Sequence, residues 1–108
     1  MHECQELPFT VASTQHRVLG PLIKLQFTEN FVLRFTPVEA SSLSFALVAV
    51  RDGISPEREI YMSPIASDAA FIGTVRDSGM SITTSFGVLE LDWSNVGKLA
   101  ESLAAAIG

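Results

Sequence analysis

Two pairs of acidic residues have a spacing that could support acid–base chemistry. Glu57 pairs with Glu59, and Glu90 pairs with Asp92, with one residue between the members of each pair. Side chains two residues apart on a β-strand point to the same face, so each pair would present its carboxylates side by side. No apolar pocket is evident in the sequence around either pair, and surface carboxylates are common. We therefore interpret the four acids as a solvated face that could bind a basic partner, and not as a catalytic site.

Two arginines lie in a repeated phrase, which reads VRDGIS at 50–55 and VRDSGMS at 75–81. Aspartate, serine and glycine favour tight turns, so the main interpretation is a pair of hairpin turns that each follow a strand. The alternative is a ligand site in which Arg51 and Arg76 meet at one end of a sheet. Two guanidinium groups held in this way could clamp the carboxylate or phosphate of a small anionic ligand.

The histidines and the single cysteine offer little for catalysis or metal binding. His2 and Cys4 have the H-x-C spacing that can contact a soft metal, but useful sites need three or four ligands and the sequence offers no second cluster. A serine or cysteine nucleophile needs a histidine base, and both His2 and His16 lie in the part of the chain with the weakest pattern. Glycine-rich phosphate loops are also missing. We expect a protein that is not an enzyme and that uses no metal or cofactor.

The charge balance is acidic, because Lys and Arg total 7 and Asp and Glu total 12, for a formal net charge of −5. The basic residues are scattered singly and do not alternate with aromatic residues, so direct nucleic-acid binding is not expected. Charged residues make up 18% of the chain, below the roughly 25% of a typical soluble domain. A surface this poor in charge favours a buried contact with a partner protein or with a second copy of the chain.

Neither a membrane segment nor a secretory signal is evident. The longest uncharged stretches, at 40–50 and 78–89, are much shorter than the roughly 20 apolar residues of a membrane helix. Glu3 and Glu6 stand where a secretory signal would be basic and then apolar. Cys4 is the only cysteine, which suits a reducing compartment. These features predict a cytoplasmic protein without contact to a membrane.

Alternation of apolar and polar residues over most of 7–92 is typical of β-strands with one buried face. The runs IKLQFT (23–28) and FVLRFT (31–36) are separated by two residues and predict a hairpin. The almost wholly apolar run LSFALVAV (43–50) predicts a central strand, and a change of phase at Gly87 predicts a β-bulge. The phenylalanines predicted to point inward are Phe27, Phe31, Phe35, Phe45, Phe71 and Phe86.

The final segment changes to a period near 3.6, which predicts an amphipathic helix over 94–107, capped by Asp92 or Ser94. Its apolar stripe consists of Val96, Leu99, Ala100, Leu103, Ala104 and Ile107. We predict a single α+β domain over 1–108, with residues 1–6 frayed. A mainly antiparallel sheet of about five to seven strands would carry the C-terminal helix on one face. An all-β barrel capped by that helix is the main alternative.

The segment 54–68, where the alternation fails, is the best candidate for an interface. It contains Tyr61 and Met62, and aromatic side chains are enriched among the residues that dominate binding. We predict a small acidic protein-binding module, an inhibitor or adaptor that occupies a partner protein. The predicted contact residues are Glu57, Glu59, Tyr61, Met62, Glu90 and Asp92.

A basic partner fits the net charge best, for example a protein whose nucleic-acid-binding surface these carboxylates would mask. Two alternatives stay open. One is a homo-oligomeric structural module, such as a homodimer that pairs sheet edges across a two-fold axis. The other is a small anionic-ligand-binding domain that uses Arg51 and Arg76.

Overall fold

The chain forms two antiparallel sheets and two helices in the computed structural model, which describes residues 8–28, 31–85 and 87–107. The first sheet contains β1 (Thr10–His16), β2 (Gly20–Thr28) and β3 (Phe31–Phe35), in that order. The second sheet contains β4 (Glu59–Met62), β5 (Phe71–Val75), β6 (Gly79–Thr84) and β7 (Gly87–Asp92). The helices are α1 (Pro37–Arg51) and α2 (Trp93–Ile107).

This architecture confirms the predicted α+β class, the number of antiparallel strands and the C-terminal helix. It differs from the prediction in two respects, because the strands divide into two sheets and α1 is an additional helix. The predicted frayed segment, 1–6, lies outside the described residues.

The predicted hairpin is present as β2 and β3. Ile23 pairs with Phe35 and Leu25 pairs with Leu33, while the connection at 29–30 lies outside the described residues. The residues predicted to point inward are all buried; they are Ile23, Leu25, Phe27, Phe31, Leu33 and Phe35. Strict alternation over two adjacent runs was sufficient to identify this pair of strands, because only one register buries both apolar sets.

The central strand predicted over 43–50 is wrong, because these residues belong to α1. A capping box begins the helix: the Thr36 hydroxyl accepts from the Glu39 backbone N–H at 3.2 Å, and the Glu39 carboxylate accepts from the Thr36 N–H at 2.9 Å. Pro37 suits the first turn, where its missing N–H costs no hydrogen bond. The buried residues of α1 recur at helical spacing and are Ala40, Leu43, Leu47 and Val50. The Thr-Pro-Val-Glu sequence was the signal for this helix.

The predicted β-bulge at Gly87 is also wrong, because the change of phase marks a chain reversal. Gly87 begins β7 and pairs with Thr84, the last residue of β6. At the other end of the same strand pair, Gly79 lies directly against β7. A Cβ on Gly79 would lie 2.7 Å from the Asp92 Cα and would collide with the Leu91 carbonyl. Glycine at this position therefore allows the close approach that fixes the β6–β7 register.

Both repeated phrases form turns, as predicted, but the first ends a helix instead of a strand. Arg51 is the last residue of α1, Asp52 is its C-cap, and Gly53 follows with φ of 75°. This is the left-handed conformation that glycine adopts readily after a helix. The second phrase makes the β5–β6 hairpin, in which the Arg76 N–H donates to the Gly79 carbonyl at 2.8 Å.

The two helices lie side by side and cover the inner faces of both sheets. The Ser44 hydroxyl of α1 donates to the Ala100 carbonyl of α2 at 2.9 Å. α1 contacts β2, β3 and β4, whereas α2 contacts β1, β2, β6 and β7. The Phe27 and Phe71 rings, whose centroids are 6.4 Å apart, join the two sheets beneath the helices. One continuous hydrophobic core thus joins the two sheets and the two helices.

Two predictions about the core need correction. Phe71 is buried like the phenylalanines of β2 and β3, but Phe45 is 78% exposed, and Phe86 lies outside the described residues. On α2, Ala104 and Ile107 are exposed, the latter by 38%, because this helix buries a narrower stripe than predicted. The stripe that is buried contains Val96, Leu99, Ala100 and Leu103. The Asp92 carboxylate caps α2 by accepting from the Asn95 N–H at 2.8 Å.

Candidate partner-binding face

The side of the four-stranded sheet that points away from the helices, here called the outer face, collects most of the predicted contact residues. On β6, the side chains of Met80 and Ile82 point into the core. Because successive side chains of a strand point to opposite faces, Ser81 and Thr83 lie on the outer face. The cross-strand register then aligns a polar row across all four strands: Glu59, Thr74, Ser81 and Glu90.

A hydrogen-bonded network holds one end of the polar row. The Ser81 hydroxyl lies 2.9 Å from each oxygen of the Glu90 carboxylate, to which it donates, and it accepts from Arg76 Nε at 3.0 Å. Ser81 is only 2% exposed although it lies on the outer face, because the longer side chains cover it. The hydroxyl can therefore position Arg76 and Glu90, but it is too shielded to act as a nucleophile on an external substrate.

Next to the polar row lies an apolar row that is open to solvent. Tyr61 is 64% exposed on β4 and Val88 is 60% exposed on β7. Between them, the half-buried Ile72 pairs with Tyr61, and the exposed Thr83 pairs with Val88. Protein-binding surfaces commonly have large apolar side chains at their centre and charged side chains at their border.

The structure brings four of the six predicted contact residues to the outer face, namely Glu59, Tyr61, Glu90 and Asp92. Glu57 is exposed just before β4, where its backbone N–H donates to Ser55 Oγ at 3.3 Å. Met62 is placed differently, because it alternates to the inner face and packs half-buried against the core. The outer face therefore does not include Met62.

The rest of segment 54–68, predicted to contain the best interface, is held against neighbouring elements. The Ser67 hydroxyl donates to the Arg34 carbonyl at 2.9 Å and accepts from the Arg34 N–H. The Ile65 N–H donates to the Glu39 carboxylate at 3.1 Å. Ile65 itself is 73% exposed. These bonds show how a polar connection is ordered by β3 and α1 without a core of its own.

The two arginines of the alternative ligand site have different partners in different layers. Arg51 forms a salt bridge with Asp52 at 2.9 Å and lies along α2, where its Nη1 is 2.8 Å from the position that a Cβ on Gly97 would take. Arg76 instead bonds Ser81 on the outer face. Among the described residues, the hydrogen bonds of these guanidinium groups thus do not converge on one site.

The Arg51–Asp52 pair perturbs both of its members. Its hydrogen bond and the charge of Asp52 raise the pKa of Arg51, and the same hydrogen bond from Arg51 lowers the pKa of Asp52. Both side chains are exposed to solvent, where such a pair stabilises little. This pair therefore explains the local geometry of the α1 terminus and does not indicate a reactive centre.

The outer face was only partly predictable. The sequence identified the acids and Tyr61, but it did not assign Ile72, Ser81 or Val88 to the same surface. Their positions depend on the register of three strand pairs, which single-strand alternation does not specify. His16 also has a local role, because its Nδ1 accepts from the backbone N–H groups of Val18 and Leu19 in the β1–β2 turn.

Comparisons of the chain with protein-family models, with curated proteins and with solved structures give no significant match. Across the described residues, no helix is both long enough and apolar enough to cross a membrane. Within the same residues, no group of three or more His, Cys, Asp and Glu side chains is placed to hold a metal ion. The outer face is therefore the feature of the molecule from which its function is inferred.

Proposed function

We propose that the protein is an acidic binding module that occupies a partner protein through the outer face of its four-stranded sheet. The observation that supports this function is the exposed apolar row, led by Tyr61 and Val88, beside the carboxylates of Glu59 and Glu90. Tyrosine is enriched among residues that dominate binding energy, because its ring buries a large area while its hydroxyl keeps a polar partner.

The chemistry of the outer face favours a partner with basic side chains around an apolar patch. Glu59 and Glu90 lie in the polar row beside the apolar row, and Asp92 follows Glu90 along β7. Glu57 is exposed just before β4, and Arg76 is engaged with Ser81 and Glu90. The net charge of −5 extends this preference to longer range and would speed the encounter with a positive surface. A basic nucleic-acid-binding protein fits this description, since the carboxylates would occupy the sites of phosphates. The module would then act as an inhibitor or an adaptor.

The first experiment is capture of partners from a lysate of the source cells with the tagged protein, at low and at high salt. We expect a basic protein whose recovery falls as salt rises, because screening weakens the contribution of exposed charges. The double variant Tyr61→Ser/Val88→Ser removes the apolar row and should lose this partner. Circular dichroism and thermal unfolding verify that the variant is folded.

A charge-matched pair of variants tests the role of the carboxylates. Glu57→Gln/Glu59→Gln removes one acid of the outer face and the exposed acid just before β4, whereas Asp68→Asn/Glu101→Gln removes two exposed acids elsewhere. We expect the first variant to bind the captured partner more weakly and with a smaller dependence on salt, and the second to bind like the wild type. Equal binding by the wild type and by the apolar-row variant would show that the outer face is not the binding surface.

A further inference from the structure

A second exposed surface lies on the opposite side of the molecule, on the solvent side of the two helices. Phe45 projects from α1 with 78% of its area exposed, and Val38 is 76% exposed about two turns before it. Beside Phe45 runs a groove of about 330 Å³ between the helices. Its lining residues are Ser41, Ser44, Phe45, Val48, Ala104 and Ile107. We call this surface the helix face.

The phase of α1 forces Phe45 outward. Leu43 and Leu47 are both fully buried, and Phe45 is two residues from each, which is about 200° around a helix. A side chain in that position cannot reach the core as long as the leucines do. The exposure of Phe45 is therefore built into the helix and does not depend on its rotamer. Since surface apolar residues that stand together commonly mark interaction sites, Phe45 and its groove are a candidate interaction site.

Small side chains create the groove. The Ser44 hydroxyl bonds the Ala100 carbonyl of α2 and holds the two helices close together. Ser41 and Ala104 are too small to fill the space between the helices, and Phe45 and Ile107 stand at its sides. A cavity of roughly 150 Å³ takes a benzene molecule. The groove, at about 330 Å³, is thus large enough for a phenyl ring.

We propose that the helix face is a self-association surface, on which Phe45 of each of two copies enters the groove of the other across a two-fold axis. A two-fold contact requires one surface to carry both complementary features, and here the projecting ring and the groove that can hold it are adjacent on one surface. This inference goes beyond the proposed function, since it uses the opposite side of the molecule and no residue of the outer face.

The distribution of charge favours a second copy as the occupant of this surface. Two chains of net charge −5 repel each other, so a contact between copies requires a surface without excess charge. α1 has no charged residue between Glu39 and Arg51. On the solvent side of α2, Lys98 and Glu101 have opposite signs. The acids of the outer face, in contrast, would oppose a contact between identical copies there.

The size of the helix face sets the strength of the expected contact. Two adjacent helices of 15 residues are each about 22 Å long and about 9 Å apart, so they present on the order of 400 Å² per copy. A dimer would bury about twice that area, which is below the roughly 1,200 Å² of stable interfaces and typical of transient ones. We therefore expect a weak dimer that forms in the micromolar range or above and depends on concentration.

Sedimentation velocity over micromolar to millimolar protein concentrations tests this proposal, with a reductant present so that Cys4 cannot join two copies covalently. The wild type should shift from monomer to dimer, with little effect of salt. Phe45→Ser should weaken the dimer by about tenfold or more, as truncation of a central aromatic side chain typically does. Ala104→Glu, at an exposed position, should have the same effect by placing a charge in the groove.

Tyr61→Ser is the matched control, because it also removes an exposed aromatic ring but from the outer face. It should dimerise like the wild type while losing the captured partner, and Phe45→Ser should do the reverse. A wild type that remains monomeric at millimolar concentration would overturn the proposal, as would a Phe45→Ser variant that dimerises normally. Loss of a captured heterologous protein in Phe45→Ser, from a monomeric wild type, would assign the helix face to that protein and would equally overturn self-association. The outer face is tested separately, by the loss of its partner in Tyr61→Ser/Val88→Ser.

Discussion

The outer face and the helix face both expose large apolar side chains, but their surroundings differ. Around Tyr61 and Val88 lie carboxylates and an arginine that are fixed by the strand register. Around Phe45 lie serine, alanine and aliphatic side chains, and the charged residues of α1 are confined to its first and last turns. Exposed aromatic residues alone would not separate the two surfaces. Their neighbours do, because charge determines which partner can approach and how salt affects the contact.

The two surfaces also differ in what creates them. The outer face is produced by contacts far apart in sequence, since its rows join four strands of a meander. The helix face is produced mainly by the phase of one helix and by its packing against α2. A change in strand register would thus destroy the outer face and leave Phe45 in place. This difference makes the two surfaces separable by mutation.

The largest expected change in stability comes from a comparison of two phenylalanines, which tests whether Phe45 belongs to the surface and not to the core. Phe35→Ala removes a fully buried ring and should lower the free energy of unfolding by about 3–5 kcal/mol. Phe45→Ala should change it by less than about 0.5 kcal/mol, because surface substitutions usually do. Urea denaturation of both variants measures the difference. A loss at position 45 close to that at position 35 would contradict the assignment of Phe45 to the helix face.

Alternation in the sequence was sufficient to identify a strand where one face of the strand is buried and the adjacent strand shows the same pattern. β2 and β3 follow this rule, and their inward residues were all identified correctly. α1 did not follow it, because its segment 43–50 is so apolar that periods of 2 and 3.6 fit equally well. The residues that distinguish a helix from a strand here, Thr36 and Glu39 of the capping box, lie outside that window, and the prediction from 43–50 alone therefore missed them.

For the candidate site, the sequence predicted some of the residues but not their arrangement. The alternation of Glu90 and Asp92 placed both correctly on one face of a strand. Met62 was assigned to the same surface as Tyr61, although adjacent strand residues must point to opposite faces once IYM is a strand. Ser81 was not distinguishable from the other hydroxyls of SITTS. Its role appears only when the β5–β6 turn and β7 bring Arg76 and Glu90 within hydrogen-bond distance of its hydroxyl.

A smaller effect should follow from Ser81→Ala. This substitution disturbs the outer face only, so it separates the outer face from the helix face. Removing the hydroxyl breaks its bonds to Arg76 and Glu90, and should lower the free energy of unfolding by about 1.5–3 kcal/mol, typical of hydrogen bonds to charged groups. Arg76 and Glu90 would then move independently, so affinity for the captured partner should fall. Calorimetric titration with that partner and sedimentation of the variant separate the effects. The helix-face dimer should be unchanged, and weaker dimerisation would show that the two surfaces are coupled.

The smallest effect concerns Asp52, whose bond to Arg51 borders the helix face at the end of α1. Arg51 lowers the pKa of Asp52 in the folded protein relative to its unfolded value of about 3.9. The carboxylate form is thus favoured by folding, and its stabilising contribution is present above the unfolded pKa and is lost as pH falls through the folded pKa. In Asp52→Asn this dependence disappears. The stability of the wild type relative to the variant should therefore decrease as pH falls below about 5 and stay constant above that value, as thermal unfolding at several pH values would show. A difference that does not change with pH would mean that Arg51 and Asp52 are not paired in solution, which would contradict the salt bridge at the end of α1.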